Sequence, residues 1–309
     1  MKKILQIALN ALRVFLRVFM PDLAQRMDAE GQFQVEDDAA NALEEANYML
    51  VEDRGAPVTI VVFSGLDVLY AGLARFEFQG VLRRIDFDAN LVFLRDCQRA
   101  AFFVAPDGSP GGHAFYEDAI NRVLGRLGAA HNIALGSSIG GTAAIIFGTR
   151  CNFHHIISFG APFELDVYTR PRRLMTSIFD FKKFFTEPAA YWEMLLVTSA
   201  AIWGVRHILR RAQLNAIPDF AGAYRARPDR PHISAFYGET AWPDVEQAQY
   251  LKDIPEVSLH PLPTGRHNTP VFLKKTGAFE STMAAEITRH YRPEGASGTQ
   301  TFPSAKNVG

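Results

Sequence analysis

The stretch Ile133-Ala134-Leu135-Gly136-Ser137-Ser138-Ile139-Gly140-Gly141-Thr142-Ala143-Ala144 decides how this chain is read. An apolar run of strand type ends at Gly136, and a short, small, apolar helical pattern (Gly141 to Phe147) follows. Between them Gly136, Ser138 and Gly140 form a Gly-x-Ser-x-Gly pentapeptide. A serine that projects from the tip of a sharp strand-to-helix turn sits in strained backbone. The residues two before and two after it must lack side chains, because neighbouring backbone passes close by. The amides that open the following helix, with its dipole, favour negative charge at the same spot. The bare pentapeptide arises by chance in roughly one chain in ten of this length. The flanking strand and helix are what give it meaning.

Working outward, further runs of strand type are Val58–Phe63, Leu91–Leu94, Ile156–Phe159, Ile233–Tyr237 and Val257–Leu259. Each is closed by Gly, Pro or a polar turn, as strands buried on both faces are. Earlier, Phe33–Val35 and Tyr48–Val51 read as a short hairpin-like pair. Helical patterns lie between the strands. Phe115 to Leu127 aligns Ala119, Ile120, Val123, Leu124 and Leu127 on one face, and Val271 to Tyr291 reads as a closing helix. This alternation predicts an α/β fold, a mostly parallel sheet with helices on both faces. Ligands in such sheets bind beyond the carboxyl ends of the strands.

A serine nucleophile needs a base, and the base needs an orienting acid. His267 lies in Pro263-Thr264-Gly265-Arg266-His267-Asn268, after the last strand and before the last helix, where a loop swings an imidazole over the sheet edge. His154 and His155 enter a strand from its opposite end and are read as packing or capping groups, and His207 as a surface group. The acid follows Ile233–Tyr237. Asp244 is preferred and Glu239 is second, with N-capping of the next helix as the structural role open to Asp244. Asp96, at the end of its strand, is read as a hydrogen-bonding support for a loop.

These residues resemble the α/β-hydrolase superfamily. The likeness rests on Ser64-Gly65-Leu66 after an early strand, Gly136 to Gly140, Asp244 and His267, and spans roughly residues 56 to 290 apart from one insertion. It implies a Ser138–Asp244–His267 triad and an oxyanion hole built from the amides of Ile139 and Leu66. Many members carry His-Gly in the early loop, where this chain has Ser64-Gly65. The expected chemistry is a serine hydrolase acting on a carboxylic ester with an apolar group, through an acyl-enzyme. The rival readings are an acyltransferase and a non-catalytic binding protein on the same scaffold.

The chain of 309 residues divides into an amphipathic helix (1–21), a first core part (22–162), a helical cap (163–231), a second core part (232–291) and a disordered tail (292–309). The cap is read from aromatic richness without strand pattern: Phe179, Phe181, Phe184, Phe185, Tyr191, Trp192 and Trp203. Its run Met194 to Val205 is too short to span a bilayer. Residues 2–19 carry Lys3, Gln6, Asn10, Arg13 and Arg17 as a narrow polar stripe. That stripe fits a helix docked on protein, or one making peripheral membrane contact through residues 1–20. With 32 basic and 33 acidic residues the chain offers no strong field for nucleic acid. Two distant cysteines, Cys97 and Cys151, exclude a disulfide framework and point to a reducing, cytoplasmic home. The pattern calls for no cofactor and no metal, and its partner is a small-molecule ester or acyl compound.

Overall fold

A computed structural model describes residues 48–65, 76–85, 87–98, 100–151, 153–164, 205–206 and 208–291, with residues 185, 186, 191 and 195 besides. The expectations for residues 1–21, Phe33–Val35, Leu66, most of the cap, His207 and the tail therefore lie outside the described residues.

Among the described residues seven strands form one sheet: β1 (Met49–Glu52), β2 (Val58–Phe63), β3 (Ala89–Leu94), β4 (His131–Ser137), β5 (His155–Phe159), β6 (His232–Gly238) and β7 (Val257–Leu262). Their spatial order is β1-β3-β2-β4-β5-β6-β7. All neighbours are parallel except β1, which runs antiparallel to β3 with Met49 opposite Leu94. The described partner of β1 is β3. Every residue of β2, β3 and β5 is buried, which explains why those runs carry no polar alternation. Strand β7 is the edge, where Pro261 removes a ladder donor at little cost.

Helices cover both faces. On one lie α1 (Gln79–Leu82), α6 (Thr269–Lys275) and α7 (Phe279–His290), whose Leu82, Leu273, Phe279, Met283 and Ile287 pack on Ile60, Val62, Ile133 and Ile157. On the other lie α2 (Gly112–Leu127), α3 (Ile139–Arg150) and α4 (Phe220–Ala226). Here Tyr116, Ile120, Phe147 and Tyr224 meet Val61, Phe63, Ala134 and Ile156. Helix α5 (Trp242–Gln249) follows β6 on that same side, with Leu251 just beyond it in the core. The single closing helix expected over 271–291 is instead two, α6 and α7. Gly277 breaks it, with φ of 70°, a conformation that disfavours any residue with a Cβ.

Strands β2 and β3 extend the sheet one way, and the chain then returns to place β4 on the other side of β2. The carboxyl ends of β2 and β4 therefore lie side by side, with Phe63 level with Gly136. That reversal of direction is where open α/β sheets leave a crevice.

Candidate active site

Strand β4 ends at Ser137 and α3 begins at Ile139, leaving Ser138 alone at the turn with φ 52° and ψ −126°. This is costly backbone for a residue with a Cβ, of order 1–3 kcal/mol, and it persists because its surroundings over-determine it. The Ser138 amide donates to the Phe159 carbonyl (2.7 Å), and the Ser138 carbonyl accepts from Thr142 (3.0 Å). The neighbouring glycines leave no choice of residue. A Cβ at Gly136 would lie 2.1 Å from the Gly140 carbonyl oxygen, and one at Gly140 would lie 2.2 Å from that of Phe63. The requirement read from the sequence is thus a matter of ångströms. Gly141 is as tight, because its Cβ would lie 2.7 Å from that of Ala161.

The imidazole arrives from the other side. His267 sits between β7 and α6, where Asn268 caps the helix by accepting from the Val271 amide (3.4 Å). The His267 carbonyl accepts from Thr269 (2.9 Å), which fixes the loop. Room for the ring comes from Gly160, at φ 54°, whose Cβ would lie 3.3 Å from Nδ1 and 2.8 Å from the His267 carbonyl oxygen. The sequence marked Gly160 only as the end of a strand. Its second role becomes visible when β5 and the His267 loop are side by side.

Asp244 stands in the first turn of α5, not at its cap, which is Ala241. Its side chain is 1% exposed and that of His267 7%. His267 Nδ1 donates to Asp244 Oδ1 at 2.6 Å, and His267 Nε2 accepts from Ser138 Oγ at 2.9 Å. A carboxylate only accepts, so the proton lies on Nδ1 and the Nε2 lone pair faces the serine hydroxyl. Gly238 lets the His267 loop pass close here, since a Cβ on it would lie 2.8 Å from the Thr264 and Arg266 carbonyl oxygens. Glu239, the second candidate acid, is exposed, its amide committed to the Leu262 carbonyl (2.9 Å), and it is not part of this chain of bonds.

Ile139 opens α3, and the first amides of a helix have no carbonyl partner within it. That leaves the Ile139 amide without an acceptor inside the helix. The Gly65 backbone passes close by, its nitrogen 2.9 Å from the point a Gly140 Cβ would occupy, while Leu66 is outside the described residues. The Ile139 side chain packs on Val205, in an apolar cluster that Leu209, Ile217, Phe220 and Trp242 also join. Gln247, unremarked in the sequence, anchors the chain leaving the first core part by accepting from Phe163 (2.8 Å) and Glu164 (2.7 Å).

The remaining expectations also find their places. Asp96 accepts from three backbone amides, of Gln98 (3.0 Å), Ala100 (2.6 Å) and Phe102 (2.9 Å), and burial raises its pKa against their pull. His154 accepts from Asn132 (3.0 Å), and His155 is buried against Ser234 (3.0 Å). Among the described residues no group of three or more His, Cys, Asp or Glu is arranged to hold a metal ion, and no helix is long and apolar enough to cross a membrane.

No family model and no curated protein matches the chain. Solved structures do. A carboxylesterase structure from the thaumarchaeon Nitrososphaera gargenis is 11% identical, over 79% of this chain and 96% of that one, with a TM-score of 0.49. A thermophilic esterase from Thermogutta terrifontis is 16% identical, over 79% and 94%, at 0.48. The capsule O-acetyltransferase of Neisseria meningitidis serogroup A is 14% identical, over 78% and 90%, also at 0.48. At such distances the assignment rests on the chain's own geometry. With its mostly parallel sheet, the antiparallel strand β1 beside β3 and a serine held at a strained turn between β4 and α3, this chain has the α/β-hydrolase fold.

Proposed function

We propose that this chain is a serine hydrolase that cleaves a small-molecule carboxylic ester through an acyl-enzyme. The observation that carries the reading is the continuous relay from Ser138 Oγ through both nitrogens of His267 to Asp244 Oδ1. In it Ser138 attacks the ester carbonyl while His267 Nε2 takes its proton, and Asp244 holds the ring and stabilises the imidazolium that forms. The amide of Ile139, with that of Leu66 as the family resemblance implies, stabilises the oxyanion, an effect worth about 3 kcal/mol per donor. The imidazolium then protonates the departing alcohol. Water, activated by the same imidazole, releases the acid and restores Ser138. The cluster of Val205 with Ile139, Ile217, Phe220 and Trp242 supports an apolar group on the substrate.

The test is turnover of p-nitrophenyl esters by the purified protein and by Ser138→Ala. Burst kinetics in the parent, with the burst and the turnover both lost in the variant, is the expected result. Turnover that survives in the variant overturns the reading.

A further inference from the structure

The loop between β3 and α2 is built around one carboxylate. The three amides that Asp96 accepts, of Gln98, Ala100 and Phe102, draw the chain into a knot in which Ala101 (φ 53°) and Phe102 (φ 63°) both adopt the left-handed conformation. Left-handed backbone is unfavourable for any residue with a Cβ, so two in succession need an outside cause. The Asp96 carboxylate supplies it. The knot sends neighbouring side chains in two directions. Phe102 enters the core, with ring centroids 4.8 Å from Tyr116 and 5.9 Å from Phe63. Ala100, Ala101, Phe103 and Val104 are buried in a separate cluster with Ile208 and Ala212, which Ile139 borders.

A second element grips the same knot. The Arg211 guanidinium donates through Nη1 to the Gln98 carbonyl (2.8 Å) and through Nη2 to the Gln98 side-chain oxygen. Gln98 in turn donates its amide to Asp96 (3.0 Å) and its side-chain nitrogen to the Pro106 carbonyl (2.6 Å). A planar two-pronged donor meeting two fixed acceptors sets orientation as well as distance. The brace thus runs from the end of β3 through Gln98 to Arg211. On the same stretch of chain as Arg211, Val205 packs against the side chain of Ile139, and Leu209 belongs to the same apolar cluster.

We propose that Asp96, Gln98 and Arg211 are positioning residues that hold the apolar wall beside Ser138 and thereby set which sizes of apolar substrate group the site accepts. The proposal rests on the hydrolase reading above. None of the three touches the reacting atoms, and their effect is on the room available next to Ile139. A pocket discriminates one methylene from another by about 10–200-fold only if its wall is fixed.

Arg211→Ala and Gln98→Ala test it, with the full chain assayed on p-nitrophenyl esters from acetyl to octanoyl. In each variant the spread of kcat/KM between the best and worst accepted chain length shrinks about tenfold, through KM, while kcat on the best substrate stays within about twofold of the parent. A loss of general fold integrity lowers kcat on every chain length together and leaves that spread intact. A parent labelled on Ser138 by a fluorophosphonate, combined with an unchanged spread in both variants, overturns the brace alone. A parent that is neither labelled nor active overturns the hydrolase reading and the brace with it.

Discussion

Among the described residues, two places join a serine, a histidine and an acid, one beyond the carboxyl ends of the strands and one within β5 and β6. At the carboxyl edge, His267 stands between Ser138 (2.9 Å) and Asp244 (2.6 Å). Within β5 and β6, it is the serine that stands in the middle. Ser234 Oγ donates to Glu286 Oε2 (2.5 Å) and lies 3.0 Å from His155 Nε2. Arg289 holds the remaining oxygen of Glu286 at 2.9 Å. The order decides the chemistry. Ser138 has its proton aimed at a neutral base whose far side is held by an acid, whereas Ser234 gives its proton to a carboxylate within a regular strand. Exposure agrees with the order. Ser138 is half-buried at a strained turn, while Ser234, His155 and Glu286 are all 2% exposed or less. Composition alone makes neither site; backbone strain, sequence of partners and access make one of them reactive. The second set joins α7 to the sheet, and its role is to satisfy buried polar groups.

Serine-to-alanine substitution at both places breaks the comparison most sharply. Ser138→Ala is expected to cut ester kcat by about a million-fold with the unfolding transition nearly unmoved. Ser234→Ala is expected to leave ester kcat within a fewfold while costing about 1–3 kcal/mol in urea unfolding, because two buried groups lose their shared partner. Equal activity losses at the two positions would erase the distinction. The acids come next. Asp244→Asn is expected to lower kcat about 10⁴-fold by favouring the wrong tautomer of His267, whereas Glu239→Gln, at an exposed position, leaves it unchanged; steady-state kinetics on one ester separates them.

A third imidazole leaves the chemistry untouched and acts on stability alone. Burial among Phe103 (4.2 Å), Phe147 (5.5 Å) and Phe220 (5.7 Å) pushes the pKa of His113 down to about 4. The unfolded chain binds this proton at about pH 6.5, and the folded one does so only near pH 4. The unfolded state therefore gains protons first as the pH falls. The contribution of His113 is fully present above pH 6.5 and is lost progressively down to pH 4, amounting to about 3 kcal/mol. His113→Phe is expected to flatten the decline of stability across that window in urea unfolding, with the shape of the ester pH–rate profile unchanged.

Much of this was legible in the sequence because the elbow is a local problem. Gly136, Ser138 and Gly140 are constrained by backbone atoms a few residues away or on the adjoining strand, so their identities carry the turn. Strands buried on both faces announce themselves as unbroken apolar runs, and His267 follows from its place between a strand and a helix. The choice between Asp244 and Glu239 was less legible. It depends on which way the chain after β6 aims two carboxylates, and on the His267 loop, whose carbonyl oxygens press against Gly238. The break between α6 and α7 was marked only by Gly277, one glycine inside a continuous apolar periodicity. The pairing of β1 with β3 and the grip of Arg211 on Gln98 join residues 45 and 113 positions apart, and no local pattern encodes them.

The central claim is that Ser138 is an activated nucleophile. It is tested most directly by treating the folded protein with a fluorophosphonate and locating the adduct by peptide mass spectrometry, alongside His267→Ala and Ser234→Ala. The account predicts phosphonylation on Ser138, lost in His267→Ala and retained in Ser234→Ala. An adduct elsewhere, or none on a folded and accessible Ser138, would contradict it.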